Sequence, residues 1–288
     1  MKNMIIDAHQ HLWVKSEREY SWITPELKEL DKDFTPEDFL EASTTCKIDG
    51  TVLVQSADTY EDTFYMLEVA HKYSFVKGIV AWVPFDRTLE ARSAIETLSS
   101  NRIVKGFRNL THDYSNAKYE SDDNWITRSA VIETLQYIAE RKLTLDYVAV
   151  NASHLNQVIR VAELVPDLNI MIDHLGKPDI ANAAIAEWAQ IIKKASALGN
   201  IYLKVSGLST ASKKDWKATD WKPYFEVAYD SFGPDRLVLG GDWPVIELYD
   251  SFEKVWSSQL ELISHLSDLE RAKISGLNAA KFYKLEES

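Results

Sequence analysis

Five polar residues stand where short apolar runs of the sequence end: His9 and His11 after 4–8, Arg108 after 103–107, His174 after 169–173 and Asp242 after 237–241. Histidines two apart in an extended segment project to the same side, so both imidazoles can reach one metal ion or one substrate oxygen. A carboxylate such as Asp242 can take a proton from water, and Gly240-Gly241 before it allows a close backbone approach. The arginine fork can clamp a hydroxyl or a carboxylate, and positive groups stabilise a carbonyl oxygen that turns into an oxyanion. That set is suited to attack by water on a carbonyl, with or without a metal. Each residue alone has a plainer role: a hydrogen-bonded histidine, a turn aspartate, a surface ion pair. Their joint occurrence at strand ends argues for a site.

A second tier surrounds them. Trp13, Trp82, Tyr147 and Trp243 lie close to strand ends and are suited to stack on a ring or to wall off water. Gln55 and Lys177 are polar candidates for substrate contact, and Asp173 is placed to orient a neighbouring histidine. The remaining histidines, His71, His112, His154 and His265, read as surface residues.

The elements that must hold these residues form a regular series. Eight β-branched or apolar runs, at 4–8, 51–55, 78–82, 103–107, 143–147, 169–173, 201–205 and 237–241, alternate with stretches of helical spacing. Phe64, Leu67 and Ala70 show that spacing, as do Val131, Leu135 and Ile138, Leu155 through Val165, and Phe252 through Ile263. Thr35-Pro36-Glu37-Asp38 marks a helix start, with a capping hydroxyl, a proline and acids in the first turn. Strict alternation over eight repeats predicts an α/β fold, a TIM-type (β/α)8 barrel with residues 1–288 as a single domain. A doubly wound sheet would place a glycine-rich phosphate turn after its first strand, where this chain has His9-Gln10-His11. Segments 9–34, 108–128 and 207–223 are long, whereas the helix-to-strand returns are brief, so the site belongs at the C-terminal ends of the strands.

Composition narrows the partners. In 288 residues with 45% hydrophobic and 26% charged side chains, a sizeable core can be buried. A net charge of −12 without a basic cluster argues against nucleic acid. Cys46 is the single cysteine, which excludes a disulfide framework and a multi-cysteine zinc site and fits the cytoplasm. No signal sequence and no apolar run of about eighteen residues is evident, so no membrane partner is expected.

Taken in order, five motifs resemble the signature set of the amidohydrolase superfamily, in its sugar-lactone hydrolase branch. They are Asp7-Ala8-His9-Gln10-His11-Leu12-Trp13, Lys105-Gly106-Phe107-Arg108, Asp173-His174-Leu175-Gly176-Lys177-Pro178, Lys204-Val205-Ser206-Gly207-Leu208, and Gly233-Pro234-Asp235-Arg236 followed by Asp242-Trp243-Pro244-Val245. Asn278-Ala279-Ala280-Lys281-Phe282-Tyr283 is similar to the family's last helix, so the resemblance spans nearly the whole chain. It implies a lactonase that opens a small-molecule sugar lactone such as an L-fucono- or L-rhamnono-lactone. Asp242 would be the base on water, His174 and Arg108 would assist at the carbonyl, and His9, His11 and Asp242 would be the ligands of a metal. Binuclear members of the superfamily carry a bridging Lys or Glu at the end of strand four and a His after strand five. Here Phe107-Arg108-Asn109 and Asp146-Tyr147 occupy those places, which implies one divalent metal, zinc foremost, or none. Asn109 stands where many relatives have His, so the substrate contact differs there. A metal-dependent decarboxylase of an aromatic or muconate-type acid is the competing reading on the same scaffold. A binding barrel without turnover is a third.

Overall fold

The structure, a computed structural model, describes residues 4–111 and 124–285. Its strands are β1 (Ile6–Gln10), β2 (Gly50–Val54), β3 (Val76–Ala81), β4 (Val104–Phe107), β5 (Thr144–Tyr147), β6 (Ile170–Ile172), β7 (Ile201–Val205) and β8 (Leu237–Leu239). Each pairs in parallel with the next in sequence. The sheet closes where β1 meets the residues after β8: Gln10 bridges Trp243 in parallel, Asp242 N donates to His9 O at 2.7 Å and His11 N donates to Trp243 O at 2.8 Å. Glycine is required at this seam, because a Cβ on Gly240 would lie 2.7 Å from the Cβ of His9.

One helix follows each strand: α1 (Pro36–Ala42), α2 (Tyr60–Lys72), α3 (Thr88–Ser99), α4 (Ser129–Glu140), α5 (Ala152–Leu164), α6 (Ala186–Ser196), α7 (Ala218–Phe232) and α8 (Phe252–Leu262). This is the (β/α)8 barrel that the alternation predicts. Two short helices, α9 (Asp268–Ala272) and α10 (Asn278–Phe282), end the described chain. The expected start of α1 is present as a capping box: Thr35 accepts from the backbone of Asp38, whose carboxylate accepts from the backbone N–H of Thr35.

Because a barrel strand is covered on both faces, its sequence is apolar throughout rather than alternating. One set of side chains, including Leu53, Ile79, Phe107, Leu145 and Leu203, packs under the helices. The other set, including Ile6, Ala8, Val52, Val54, Val80, Met171 and Val238, fills the lumen, which Phe282 and Tyr283 plug from below.

Several boundaries differ from those the pattern suggests. β1 runs on through His9 to Gln10, and its pairing with β2 slips by one residue between Asp7 and Gln10. That bulge re-aims the strand: Ile6 and Ala8 line the lumen, and within the slipped stretch His9, the residue after Ala8, enters the same lumen. α7 begins at Ala218 and carries Pro223 inside it, shortening the expected 207–223 loop. On α2, Phe64 is 59% exposed and stacks on Tyr60, while Met66 and Val69 face the core. The helix is turned this way with Asp62 facing inward, where its carboxylate accepts from Ser56 N at 2.8 Å. His154 is buried, contrary to the surface reading, because the first turn of α5 packs it against the backbone N–H of Val150. His71 and His265 are exposed, and His112 lies outside the described residues.

Candidate active site at the C-terminal mouth of the barrel

The strand ends carry a buried polar cluster. His11 Nδ1 lies 2.7 Å from the carbonyl oxygen of Val54, which can only accept, so the ring carries hydrogen at Nδ1 and turns a bare Nε2 inward. His9 Nε2 faces that atom at 3.0 Å. Asp242 Oδ1 lies 3.7 Å from both Nε2 atoms, and Asp242 Oδ2 lies 3.9 Å from His174 Nδ1. Ser206 Oγ is 2.9 Å from the same His174 nitrogen.

Backbone geometry at two strand ends is unusual. Asp242 has φ +59°, and His174, Leu175, Gly176 and Lys177 form a run of left-handed residues with φ of 56°, 52°, 69° and 46°. Non-glycine residues there cost about 1–2 kcal/mol each, so packing must hold the turn. Trp188 Nε1 donates to Leu175 O at 2.7 Å, and Lys177 N donates to His174 O at 2.8 Å. The turn brings both the His174 and the Lys177 side chains to the cavity.

Beneath the histidines lies a chain of charges with no exposure to solvent. Lys204, near the C-terminal end of β7, contacts Asp146 at 2.7 Å, Asp173 at 2.8 Å and His9 Nδ1 at 3.1 Å. Tyr283 donates to Asp146 at 2.6 Å, linking the lumen plug to the site. Arg108 Nη1 lies 3.2 Å from Asp173 and 3.4 Å from His9 Nε2, while its Nη2 donates to Gln55 O at 2.5 Å.

Burial dominates the electrostatics. It pushes Asp242 up to about 7, against the pull of Lys177 and Arg108. It pushes His9 down to about 3 and holds His11 and His174 well below the usual histidine range, so all three rings are neutral at pH 7. Asp173 behaves oppositely: burial raises its pKa, but the buried cations Lys204 and Arg108 outweigh that and keep it ionised.

A cavity of about 300 Å³ opens above the cluster. Of the residues expected from sequence, His11, Arg108, His174, Lys177 and Asp242 line it, and His9 lies just behind. The other expected substrate contacts lie elsewhere. Trp13 is fully buried against Phe34 and donates to Lys32 O, and Trp243 packs on Phe34 and Phe39. Tyr147 belongs to the core, and Trp82 packs on Tyr60. Gln55 takes the supporting position beside Arg108, and Asn109 donates to Val83 O at 2.9 Å, away from the cavity. Trp22, Thr24 and Leu27 from the first loop, with Val148 and Val245, form the walls instead.

The residues fit a single metal ion. Two imidazole nitrogens and a carboxylate oxygen at mutual distances of 3.0, 3.7 and 3.7 Å can all meet one ion at the ~2.0–2.2 Å lengths zinc uses, leaving a position for water. The alternative set of His9, Asp173 and His174 is a poorer one, because Asp173 is already engaged by Lys204 and Arg108.

The sequence profile of the amidohydrolase family matches residues 6–285. The chain belongs to that family. It is 32% identical over 285 residues to the L-fucono-1,5-lactonase of Burkholderia ambifaria, with 98% of this chain and 96% of that protein covered. It is 25% identical over 241 residues to the L-rhamnono-gamma-lactonase of Scheffersomyces stipitis, covering 74% and 70% of the two chains. Among solved structures, a zinc-bound amidohydrolase from Burkholderia multivorans superposes with a TM-score of 0.88 at 26% identity, covering 98% of this amidohydrolase and 100% of the other. The chain is a hydrolase of this family, and none of the helices among its described residues is long and apolar enough to cross a membrane.

Proposed function

We propose that this amidohydrolase opens an aldonolactone, with an L-fucono- or L-rhamnono-lactone as the preferred substrate. The observation that carries the reading is Asp242: a buried carboxyl poised at about 7, on a cavity that also holds Arg108 and Lys177. A base of that pKa is matched to taking a proton from water near neutrality. As water attacks the lactone carbonyl, Asp242 accepts its proton, and the negative charge developing on the carbonyl oxygen meets Arg108 and Lys177. The proton held on Asp242 then passes to the ring oxygen as the C–O bond breaks, releasing a hydroxy acid. Trp22 and the aliphatic walls suit the C–H faces of a small ring. The reading gains support from the lactonase relatives, which match along most of the chain.

His9, His11 and Asp242 would hold a zinc ion, which when bound polarises the carbonyl and acidifies water. The test is a panel of aldonolactones incubated with purified protein and a pH indicator, with and without chelator. Acid release from a 6-deoxyaldonolactone supports the proposal. Silence across the panel, or proton consumption with an aromatic acid as expected of a decarboxylase, rejects it.

A further inference from the structure

His9 has a cation at each end of its ring: the ammonium of Lys204 lies 3.1 Å from Nδ1, and the guanidinium of Arg108 lies 3.4 Å from Nε2. Neither cation can accept a hydrogen bond, and a neutral imidazole has a lone pair on one nitrogen only. The shorter contact is with Lys204. Asp173 Oδ1 approaches Nδ1 to 3.3 Å, a longer contact than that of Lys204, and is itself held by the Lys204 ammonium at 2.8 Å. The neighbouring ring supplies an independent constraint. Because His11 spends its Nδ1 hydrogen on Val54 O, its Nε2 is bare, and it faces His9 Nε2 at 3.0 Å. Two bare nitrogens at that distance repel unless a cation sits between them; a hydrogen on His9 Nε2 turns the contact into a hydrogen bond.

From this we infer that Lys204 is a positioning residue that holds His9 as its Nε2–H tautomer and thereby sets a low affinity for metal at the site. In that tautomer the nitrogen that a metal needs is occupied by a proton. Metal entry requires the proton to move from Nε2 to Nδ1, toward Asp173, and the Lys204–His9 bond to be given up. No proton is gained or lost in the exchange, so the cost lies in the broken contact. Lys204 is well placed to impose it, being fully buried and anchored by Asp146 at 2.7 Å. The inference rests on His9, His11 and Asp242 as the metal-accepting set, and it does not depend on which ester is cleaved.

Two measurements on the full chain test it. In metal-stripped protein labelled with ¹⁵N-histidine, the His9 signals, assigned by their loss in His9→Gln, should report a bare Nδ1 and a protonated Nε2. A protonated Nδ1 overturns the inference, and this readout needs no variant of Lys204. Replacing Lys204→Met together with Asp146→Asn removes one charge of each sign and deletes the donor to His9. Zinc affinity, read by competition with a chromophoric chelator, should then rise at least about tenfold, the scale on which groups behind a ligand tune metal sites. Unchanged or weaker zinc binding by the folded variant overturns the inference. If the variant does not fold, the tautomer spectrum alone decides. A protein that opens no lactone leaves both measurements intact, so the two proposals fail separately.

Discussion

Arg108 and Asp173 form a buried ion pair, Nη1 to Oδ2 at 3.2 Å, that holds the guanidinium at the rim of the cavity. Gln55 steadies it from the side through its backbone oxygen. The pair explains how a cation can stand at the mouth of an apolar barrel without collapsing onto Asp242. Its partner Asp173 is shared with Lys204, so removing that carboxylate takes the charged partner from Arg108 and leaves Lys204 on Asp146.

Arg108→Lys should therefore keep the fold but lose the planar fork. A lysine offers a point charge and cannot contact Asp173, Gln55 and a substrate oxygen in the same geometry. The expected result is a fall in kcat/KM for the lactone of about 10²-fold, the scale of losing one oxyanion donor. Steady-state kinetics with circular dichroism as a folding control checks it. A loss below threefold removes Arg108 from the chemistry.

Asp242→Asn should abolish lactone turnover while leaving the cavity intact. In the wild-type, metal-stripped protein, the base is active only as the carboxylate, whose pKa burial lifts to about 7. The rate should then rise with pH through about 7 and level above it. A pH profile that is flat from 5 to 9 contradicts the assignment.

The barrel itself was legible because parallel strands buried on both faces read as plain apolar runs, and eight of them alternate with helical spacing. The spacing of His9 and His11 also carried over, since residues two apart share a side. The bulge between Asp7 and Gln10 did not, because the sequence alone gives no sign of the one-residue slip that turns His9 inward. Lys204 and Asp146 were readable in principle: a charge within an apolar strand is a buried charge that requires a partner. Nothing in local pattern could separate Trp22, which lines the cavity, from Trp13, which packs beneath the same loop, because the 9–34 segment is placed only by tertiary contacts.

Asp62 supplies a stability test away from the chemistry. Its carboxyl is buried and pushed up to about 7, against an unfolded value of about 3.9. Between those values the folded chain keeps a proton that the unfolded chain releases, so stability falls as pH rises through that window. Asp62→Asn cannot ionise and should lose this contribution to the slope. It should be more stable than the wild type at pH 8 by roughly 1–3 kcal/mol, with the gap closing toward pH 4. Urea melts across that range measure it, and an equal slope in both proteins refutes it.

Zinc should bind with a stoichiometry of one. The two ligand sets among the described residues share His9, and only His9, His11 and Asp242 does without Asp173, which Lys204 and Arg108 engage; Arg108 follows β4 in place of a bridging carboxylate or lysine. Ligand that binds only the folded state raises stability by about 2.7 kcal/mol at a hundredfold excess over its Kd. Thermal melts should therefore rise with zinc and, above its Kd, gain about 1.4 kcal/mol for each further tenfold of free zinc, the increment that one site gives. His11→Ala should remove the rise. Two equivalents by elemental analysis would instead demand a second ligand set.

Trp22 tests the wall rather than the reacting groups. Its indole nitrogen donates to Ser56 O at 2.7 Å, and Ser56 N is in turn held by Asp62, so the ring stands at a fixed position beside the cavity. A rigid aromatic wall contacts a sugar ring about equally before and during ring opening, because the atoms it touches do not change charge. Removing such a contact weakens substrate and transition state alike, which raises KM and spares kcat. Trp22→Ala should raise KM for the lactone about tenfold with kcat changed less than threefold. Trp22→Phe should recover much of the loss by restoring a ring without the Ser56 bond. A fall in kcat at constant KM would place Trp22 among the groups that act on the transition state, and the wall would then have to be assigned to Leu27, Val148 and Val245.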